Sequence, residues 1–133
     1  MTKTLTGVIA AIATPMDEDG APDLKRAVKL ARYLLDNGCD GLNVLGTTGE
    51  ATSFSLAERK AVMDAYKANG LPLDRLMVGT GAAAVSDAVA LTRHAADLGF
   101  AGALGTVLLV VSLALVFAYN SILGRLAGER QIA

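Results

Sequence analysis

Short apolar runs alternate with amphipathic segments along the first hundred residues, and this alternation constrains the fold more than any other feature. The apolar runs have the length of strands, and the amphipathic segments carry apolar residues at the spacing of one helix face. The predicted strands are 7–13, 41–45 and 76–78, and the predicted helices are 24–37, 55–69 and 86–98. Continuous apolar strands that are buried on both faces and alternate with helices predict a parallel sheet with right-handed crossovers.

The ends of the predicted helices carry the residues that favour helix starts and stops. Asp23 can accept a hydrogen bond from the first turn of the first helix. Ser55 and Glu58 have the spacing of a capping box at the start of the second helix. Gly38 and Gly99 follow the first and third helices, as is typical of helix ends.

A glycine and threonine turn, Gly46-Thr47-Thr48-Gly49-Glu50, joins the second strand to the second helix. Glycine has no Cβ, so the backbone of such a turn can come close to a ligand. Successive N–H groups form a concave anion site that suits a small carboxylate, and the threonine hydroxyls can donate or accept hydrogen bonds. Ligand sites in βα folds lie at the carboxyl ends of the strands, which is where this turn falls.

Composition excludes several other classes of function. The chain has 133 residues, enough for one domain, and a net charge of −1 with no basic cluster and no Trp, so no nucleic-acid binding is expected. The single cysteine, Cys39, cannot form an internal disulfide and is predicted to be a small buried hydrophobe. His94 has no Cys or His neighbour and is predicted to be exposed on a helix. Neither a metal nor a cofactor is predicted.

Three groups of residues resemble a known enzyme family. Gly41-Leu42, the turn 46–51 and Glu58 resemble the signature of the dihydrodipicolinate synthase and N-acetylneuraminate lyase family. The segments 7–20 and 79–91 resemble the first strand and loop and the third βα unit of that family. The resemblance covers about residues 5–104, and Asn43 departs from it, because the signature usually has an aliphatic or aromatic residue there.

The resemblance implies a fold and a chemistry. The fold is the N-terminal half of a TIM (β/α)8 barrel, about three and a half βα units, and the chemistry is that of a class I aldolase-type lyase, which joins pyruvate to a lysine as a Schiff base. Thr48 and its backbone would hold the carboxylate of pyruvate or a similar small keto acid, and Thr47 would take part in a proton relay. Gly46 and Gly49 would shape the turn. The residues implied to support the site structurally are Glu50, Thr14 and Gly79.

Other residues on which the family depends are not found. Its lysine lies on the sixth strand, beyond the matching residues, and its relay tyrosines and substrate arginine are also missing. The lysines present are Lys3, Lys25, Lys29, Lys60 and Lys67, and all but Lys3 fall on predicted helices. We therefore expect no activity from this chain alone. Inhibition by lysine is not implied either, since the positions that often carry His or Asn in lysine-inhibited members read Leu56, Arg59 and Ala83.

The apolar tail divides the chain near residue 104. Residues 100–119 carry no charge and could cross a bilayer as one long apolar helix, and Arg125 and Arg130 follow. The tail from about residue 106 resembles the last membrane helix and short basic tail of a bacterial transporter permease. The alternative is a buried helix or strand, because the fourth strand of the barrel belongs at about this place. The predicted domains are therefore 1–104, a partial barrel, and 105–133, a membrane-spanning helix with a basic tail.

Three functions remain open at this point. The first is a fragment of a Schiff-base-forming pyruvate lyase, dihydrodipicolinate synthase-like and thus of lysine biosynthesis. The second is a membrane-anchored module that binds a small carboxylate or another partner, and the third is a non-functional fusion fragment. The enzyme-like part is expected in the cytoplasm, with membrane association through 100–119. The open edge of an incomplete barrel also predicts self-association.

Overall fold

Four parallel strands form one sheet in the order β1-β2-β3-β4, in a computed structural model that describes residues 5–103, 114–119 and 121. The strands are β1 (Ile9–Ala11), β2 (Gly41–Val44), β3 (Leu76–Val78) and β4 (Gly102–Ala103). The helices are α1 (Leu24–Asp36), α2 (Leu56–Ala68) and α3 (Val85–Leu98), and short 3-10 turns occupy Ala51–Ser53 and Leu73–Arg75. The predicted βαβαβα order is confirmed, with shorter first and second strands.

The core lies between one face of this sheet and the three helices. Side chains alternate between the two faces of a strand, so Leu42 and Val44 share a face with their neighbours in β3. These residues are at most 1% exposed and pack in one cluster with apolar residues of all three helices. Burial of such a side chain stabilises the fold by about 1.5–3 kcal/mol. This single layer of contacts therefore holds the helices on the sheet.

The opposite face of the sheet carries a row of side chains that are not buried. Ala11, Asn43 and Met77 are paired across β1, β2 and β3, and Ala11 is exposed while the other two are half-buried. The prediction that the first strand is buried on both faces is therefore wrong. Burial on both faces requires a second layer, and the described part of the chain supplies one on the helix side alone.

Two of the predicted helix starts are confirmed in atomic detail. The Asp23 side chain accepts a hydrogen bond from the Arg26 N–H at 2.9 Å. Ser55 and Glu58 form both bonds of the capping box, since the Glu58 N–H donates to Ser55 Oγ at 3.3 Å and the Ser55 N–H donates to Glu58 Oε2 at 2.7 Å. Gly99, with φ of 96°, ends α3 in the left-handed conformation.

The predicted membrane helix at 100–119 is wrong at its beginning. Gly102 and Ala103 form β4, which pairs in parallel with β3, so the alternative of a fourth strand is the correct one there. Residues 104–113 lie outside the described residues, and 114–119 are helical. Among the helices that the structure describes, none combines the length and the apolar character that crossing a bilayer requires.

Candidate functional site

The glycine and threonine turn lies at the carboxyl end of β2, between the ends of β1 and β3. Thr47 and Thr48 are exposed, and Gly49 is buried. Within residues 5–103, 114–119 and 121, the N–H groups of Thr47, Thr48 and Gly49 donate to no other group. Three successive free amides are what an anion-binding backbone concavity requires. The predicted turn therefore lies at the carboxyl edge of the sheet, and its three donors have no partner among the described residues.

Within the turn, residues Gly46–Gly49 are flanked on both sides by a residue with a left-handed backbone. Leu45 precedes them with φ of 51°, and Glu50, the last residue of the turn, follows them with φ of 49°. A buried leucine in this region is uncommon, because its Cβ lies too close to the backbone, at a cost of about 1–2 kcal/mol. Strained residues of this kind persist where the surrounding structure imposes them, and they cluster at functional sites.

Thr14 ties the end of β1 to the far end of the turn. Its hydroxyl is buried and donates to the Gly49 carbonyl oxygen at 2.8 Å. A Cβ on Gly49 would lie 3.0 Å from the Leu45 nitrogen and 3.2 Å from the Ile12 carbonyl oxygen, so no larger residue fits there without movement. Thr14 and Gly49, both predicted as site residues, are thus brought into direct contact.

Gly79 brings the end of β3 against the beginning of the turn. Its N–H donates to the Val44 carbonyl oxygen at 2.8 Å. A Cβ on Gly79 would overlap the Leu45 carbonyl oxygen and lie 3.1 Å from the Gly46 Cα, so close approach of the two backbones requires glycine here. Gly79, predicted as a structural residue of the site, therefore forms the wall beside Leu45 and Gly46.

Glu50 supports the turn with its main chain. Its N–H donates to the Thr47 carbonyl oxygen at 3.1 Å, and its carbonyl oxygen accepts from the Ser53 N–H at 2.9 Å. Its side chain is exposed and makes no hydrogen bond to the described residues. The carboxylate is therefore not the group that holds the loop together.

Arg59 is a residue of this region whose structural role sequence reasoning missed. It lies on α2, is 4% exposed, and donates to the carbonyl oxygens of Gly79 and Gly81 in the loop after β3. Burial lowers the pKa of its guanidinium below its ordinary value, because the charged form is desolvated. The available signal was spacing, because Arg59 occupies the same helix stripe as the buried Val62, Met63 and Tyr66.

A cavity of about 260 Å³ lies on the helix side of the turn rather than over Thr47 and Thr48. Its lining includes Arg59, Asp87 and Leu91, from α2 and α3. On the other side of the sheet, the side-chain amide of Asn43 lies next to Gly46 of the turn, and its buried Oδ1 has no hydrogen-bond partner among the described residues. The threonines themselves face open solvent, so a ligand on the turn would be held from one side by the described residues.

The described residues contain neither a cluster of metal ligands nor a fully buried lysine side chain. Among these residues, no three His, Cys, Asp or Glu lie close enough together to hold a metal ion. His94 is half-buried rather than exposed, because its Nε2 contacts Asp64 Oδ1 at 2.8 Å between α2 and α3. Lys25, Lys29 and Lys67 are exposed on helices, and Lys60 is half-buried on α2. Lys3 lies outside the described residues.

Comparison with known proteins gives the family. The model of the dihydrodipicolinate synthetase family matches residues 4–108. The chain belongs to this family. A 4-hydroxy-tetrahydrodipicolinate synthase of Prochlorococcus marinus (strain MIT 9211) is 39% identical over 97 residues, which are 73% of this chain and 32% of that protein. The chain therefore spans about a third of the length of its curated relatives.

Solved structures show the same partial match. The N-acetylneuraminate lyase of Proteus mirabilis is similar with a TM-score of 0.68 and 36% identity, over 76% of this chain and 34% of that one. A chloride-inhibited dihydrodipicolinate synthase of Acinetobacter baumannii, complexed with pyruvate, gives a TM-score of 0.64 and 38% identity, over 75% and 34%. The fold is thus a parallel α/β fragment of a TIM barrel. These similarities give no support to the permease resemblance of the tail.

Proposed function

We propose that this chain carries the keto-acid carboxylate site of a Schiff-base-forming, pyruvate-dependent lyase of the 4-hydroxy-tetrahydrodipicolinate synthase type. The observation that carries the proposal is the run of amides at Thr47, Thr48 and Gly49, at the carboxyl end of β2, which donate to no other group of the described residues. Family membership and the pyruvate held by the Acinetobacter baumannii relative support the choice of ligand.

The turn supplies two of the functions that such a lyase needs. Its amides can hold the carboxylate of an α-keto acid, because backbone N–H groups that need not reorganise bind an anion at low cost. The Thr48 hydroxyl adds a donor beside the carboxylate. The Thr47 hydroxyl, exposed on the same turn, can pass a proton to or from a group near the keto carbon. Orientation of the keto acid is therefore the part of the reaction that this chain performs.

The covalent step is not supplied by the described lysines. A lysine that forms a Schiff base at neutral pH must be desolvated so that its amine is uncharged. Lys25, Lys29 and Lys67 are exposed, and Lys60 is half-buried on the outer helix layer. We therefore expect the 133-residue chain to bind the keto acid without joining it covalently.

Titration with pyruvate tests the binding site. In ¹H–¹⁵N spectra, we expect the Thr47, Thr48 and Gly49 amides to shift with a dissociation constant on the order of 1 mM, since a small ligand held on one side gains little free energy. Methyl pyruvate, which lacks the carboxylate, should leave these resonances in place.

Thr48→Val should weaken pyruvate binding about threefold to tenfold, which corresponds to one hydrogen bond. Thr52→Val, on an exposed neighbouring residue, is the matched control. Equal shifts with pyruvate and methyl pyruvate would refute the proposal.

Borohydride reduction tests the missing covalent step. Borohydride converts a Schiff base into a stable secondary amine, so a lysine that reacts with pyruvate gains mass permanently. We expect the intact mass of the chain to be unchanged after treatment with pyruvate and borohydride. A lysine adduct that requires pyruvate would show that the chain forms the Schiff base without further residues.

A further inference from the structure

Arg59 is a charged residue in a place where an apolar one would normally be found. Its side chain is 4% exposed and lies in the helix stripe of Val62, Met63 and Tyr66, which pack in the core. Arginine is almost never fully buried unless it is paired, and here its partners are backbone carbonyl groups rather than a carboxylate. The fold therefore accepts a desolvated cation at this position.

The guanidinium bridges two carbonyl groups of the same loop. Nη2 donates to the Gly79 oxygen at 2.7 Å, and Nη1 donates to the Gly81 oxygen at 2.9 Å. Nε is buried and has no hydrogen-bond partner in the part of the chain that the structure describes. Replacement of a buried charge by a well-packed apolar side chain is often neutral or stabilising, so stability alone does not account for an arginine with an unpaired donor. An apolar side chain could not hold both carbonyl groups. The guanidinium can, because its N–H donors form a rigid planar fork.

The loop that Arg59 holds is the wall beside the threonine turn. The Gly79 N–H donates to the Val44 carbonyl oxygen, and the backbones of Gly79, Leu45 and Gly46 are in close contact. Leu45 keeps its left-handed conformation against this wall. A displacement of Gly79 would therefore move Gly46, the residue at which the turn begins.

We propose that Arg59 is the positioning residue of the keto-acid site, which sets the conformation of the Gly46–Gly49 turn through the carbonyl groups of Gly79 and Gly81. This inference rests on the proposed function for its ligand. Arg59 acts through Gly79 and Leu45 and is not proposed to touch the keto acid.

Arg75 provides a matched control at the opposite end of the sheet. Its Nε donates to the Asp40 carbonyl oxygen and its Nη2 to the Cys39 carbonyl oxygen, both at 2.7 Å. These carbonyl groups precede β2, whereas the turn follows it. Arg75→Met thus removes two hydrogen bonds from a guanidinium to backbone carbonyl groups, as Arg59→Met does, but at the other end of β2 from the turn.

The experiment compares pyruvate binding by the full chain and by three variants. Arg59→Met and Arg59→Lys should weaken binding at least tenfold, because neither side chain can bridge both carbonyl groups, and Arg75→Met should stay within twofold of the original chain. Arg59→Lys retains the charge, so a loss of affinity in this variant assigns the effect to the fork. Unchanged affinity in both Arg59 variants would overturn the proposal.

A second readout needs no ligand and separates the two proposals. Without pyruvate, the Thr47, Thr48 and Gly49 amide resonances should shift and their hydrogen exchange should accelerate in both Arg59 variants, but not in Arg75→Met. If the original chain fails to bind pyruvate, the proposed function falls while this readout still decides the role of Arg59. If Arg59→Met does not fold, Arg59→Lys decides. Amides that match the original chain would contradict the role.

Discussion

At the scale of single residues, close contacts to the backbone of the threonine turn decide where it lies. Gly79 touches the Leu45 carbonyl group, and Thr14 donates to the Gly49 carbonyl oxygen. Each contact joins two loops that follow different strands. The turn is therefore held at its beginning and at its end, while Thr47 and Thr48 between them stay open to solvent.

Gly79→Ala tests the first of these contacts. The added methyl group would overlap the Leu45 carbonyl oxygen, so we expect the free energy of unfolding to fall by about 1–3 kcal/mol, as overpacking does elsewhere. Urea denaturation followed by circular dichroism measures this change. Gly102→Ala is the control, because no atom of the described residues, apart from its chain neighbours, lies within 4 Å of a Cβ at that glycine. Equal unfolding midpoints for the two variants would contradict the contact.

At the scale of one element, α2 connects the capping box at its start to Arg59 in its second turn. Ser55 and Glu58 satisfy each other's donors and fix where the helix begins. Arg59 is the next residue, so the direction of its side chain depends on that start. The position of the loop after β3 thus follows from the beginning of α2.

Ser55→Ala tests the contribution of the capping box. Loss of the hydroxyl leaves the Glu58 N–H without its acceptor, and N-cap replacements by alanine typically cost about 1 kcal/mol. Chemical denaturation measures the loss. Ser86→Ala is the control, because Ser86 is exposed in the first turn of α3 and that helix has no side-chain cap. A loss as large in the control would show that the hydroxyl at the cap has no special role.

The capping box also predicts a dependence of stability on pH. Hydrogen bonds from the side chain and then the backbone of Ser55 lower the pKa of Glu58 below its ordinary value of 4.5, against a smaller opposing effect of burial. A carboxyl group whose pKa is lowered by folding stabilises the native state above its unfolded pKa. This contribution is therefore complete above about pH 5 and is lost as the pH falls through the lowered pKa.

The pH prediction is measured by urea unfolding between about pH 3 and pH 6. Glu58→Gln cannot titrate, so its unfolding midpoint should fall less steeply with acid than that of the original chain. Asp74→Asn, on an exposed acidic residue in the turn before β3, serves as the control. Identical acid profiles for the original chain and Glu58→Gln would contradict the lowered pKa.

At the scale of the whole molecule, the described sheet has two open edges and one uncovered face. β1 and β4 each pair with one neighbour, and the row of Ala11, Asn43 and Met77 is not buried. Unpaired edges and uncovered apolar faces favour association with another chain. The 97 matched residues are 32% of the Prochlorococcus marinus relative, which therefore has further chain with which to cover such surfaces.

We expect the chain to associate with itself as its concentration rises. Sedimentation velocity should show a weight-average mass that increases with concentration. Ala11→Lys places a charge on the edge strand and should weaken association at least tenfold, about 1.4 kcal/mol. Ala57→Lys, on an exposed position of α2, is the control. A single species at the mass of one chain over the whole concentration range would refute self-association.

Features that depend on neighbouring residues are predicted correctly from the sequence, and features that depend on distant residues are predicted less well. The strand at Leu76–Val78 and the capping box at Ser55 were predicted correctly, because a short apolar run and a three-residue spacing carry their own physical cause. For the fourth strand, the sequence favours a membrane helix and leaves a buried strand as the alternative. An uncharged apolar run is compatible with a strand and with a membrane helix. The pairing of Gly102 and Ala103 with β3 shows that a strand forms there.

The amino-acid order alone determines the alternation of strands and helices, the helix starts and the glycine and threonine turn, because each depends on neighbours within one or two turns of chain. The tertiary structure decides that Thr14 reaches Gly49, 35 residues away, and that Arg59 reaches Gly79 and Gly81, 20 and 22 residues away. It also decides that Leu45 is left-handed. These features depend on which strand ends lie side by side in the fold, and the spacing of residues along the sequence does not specify that arrangement.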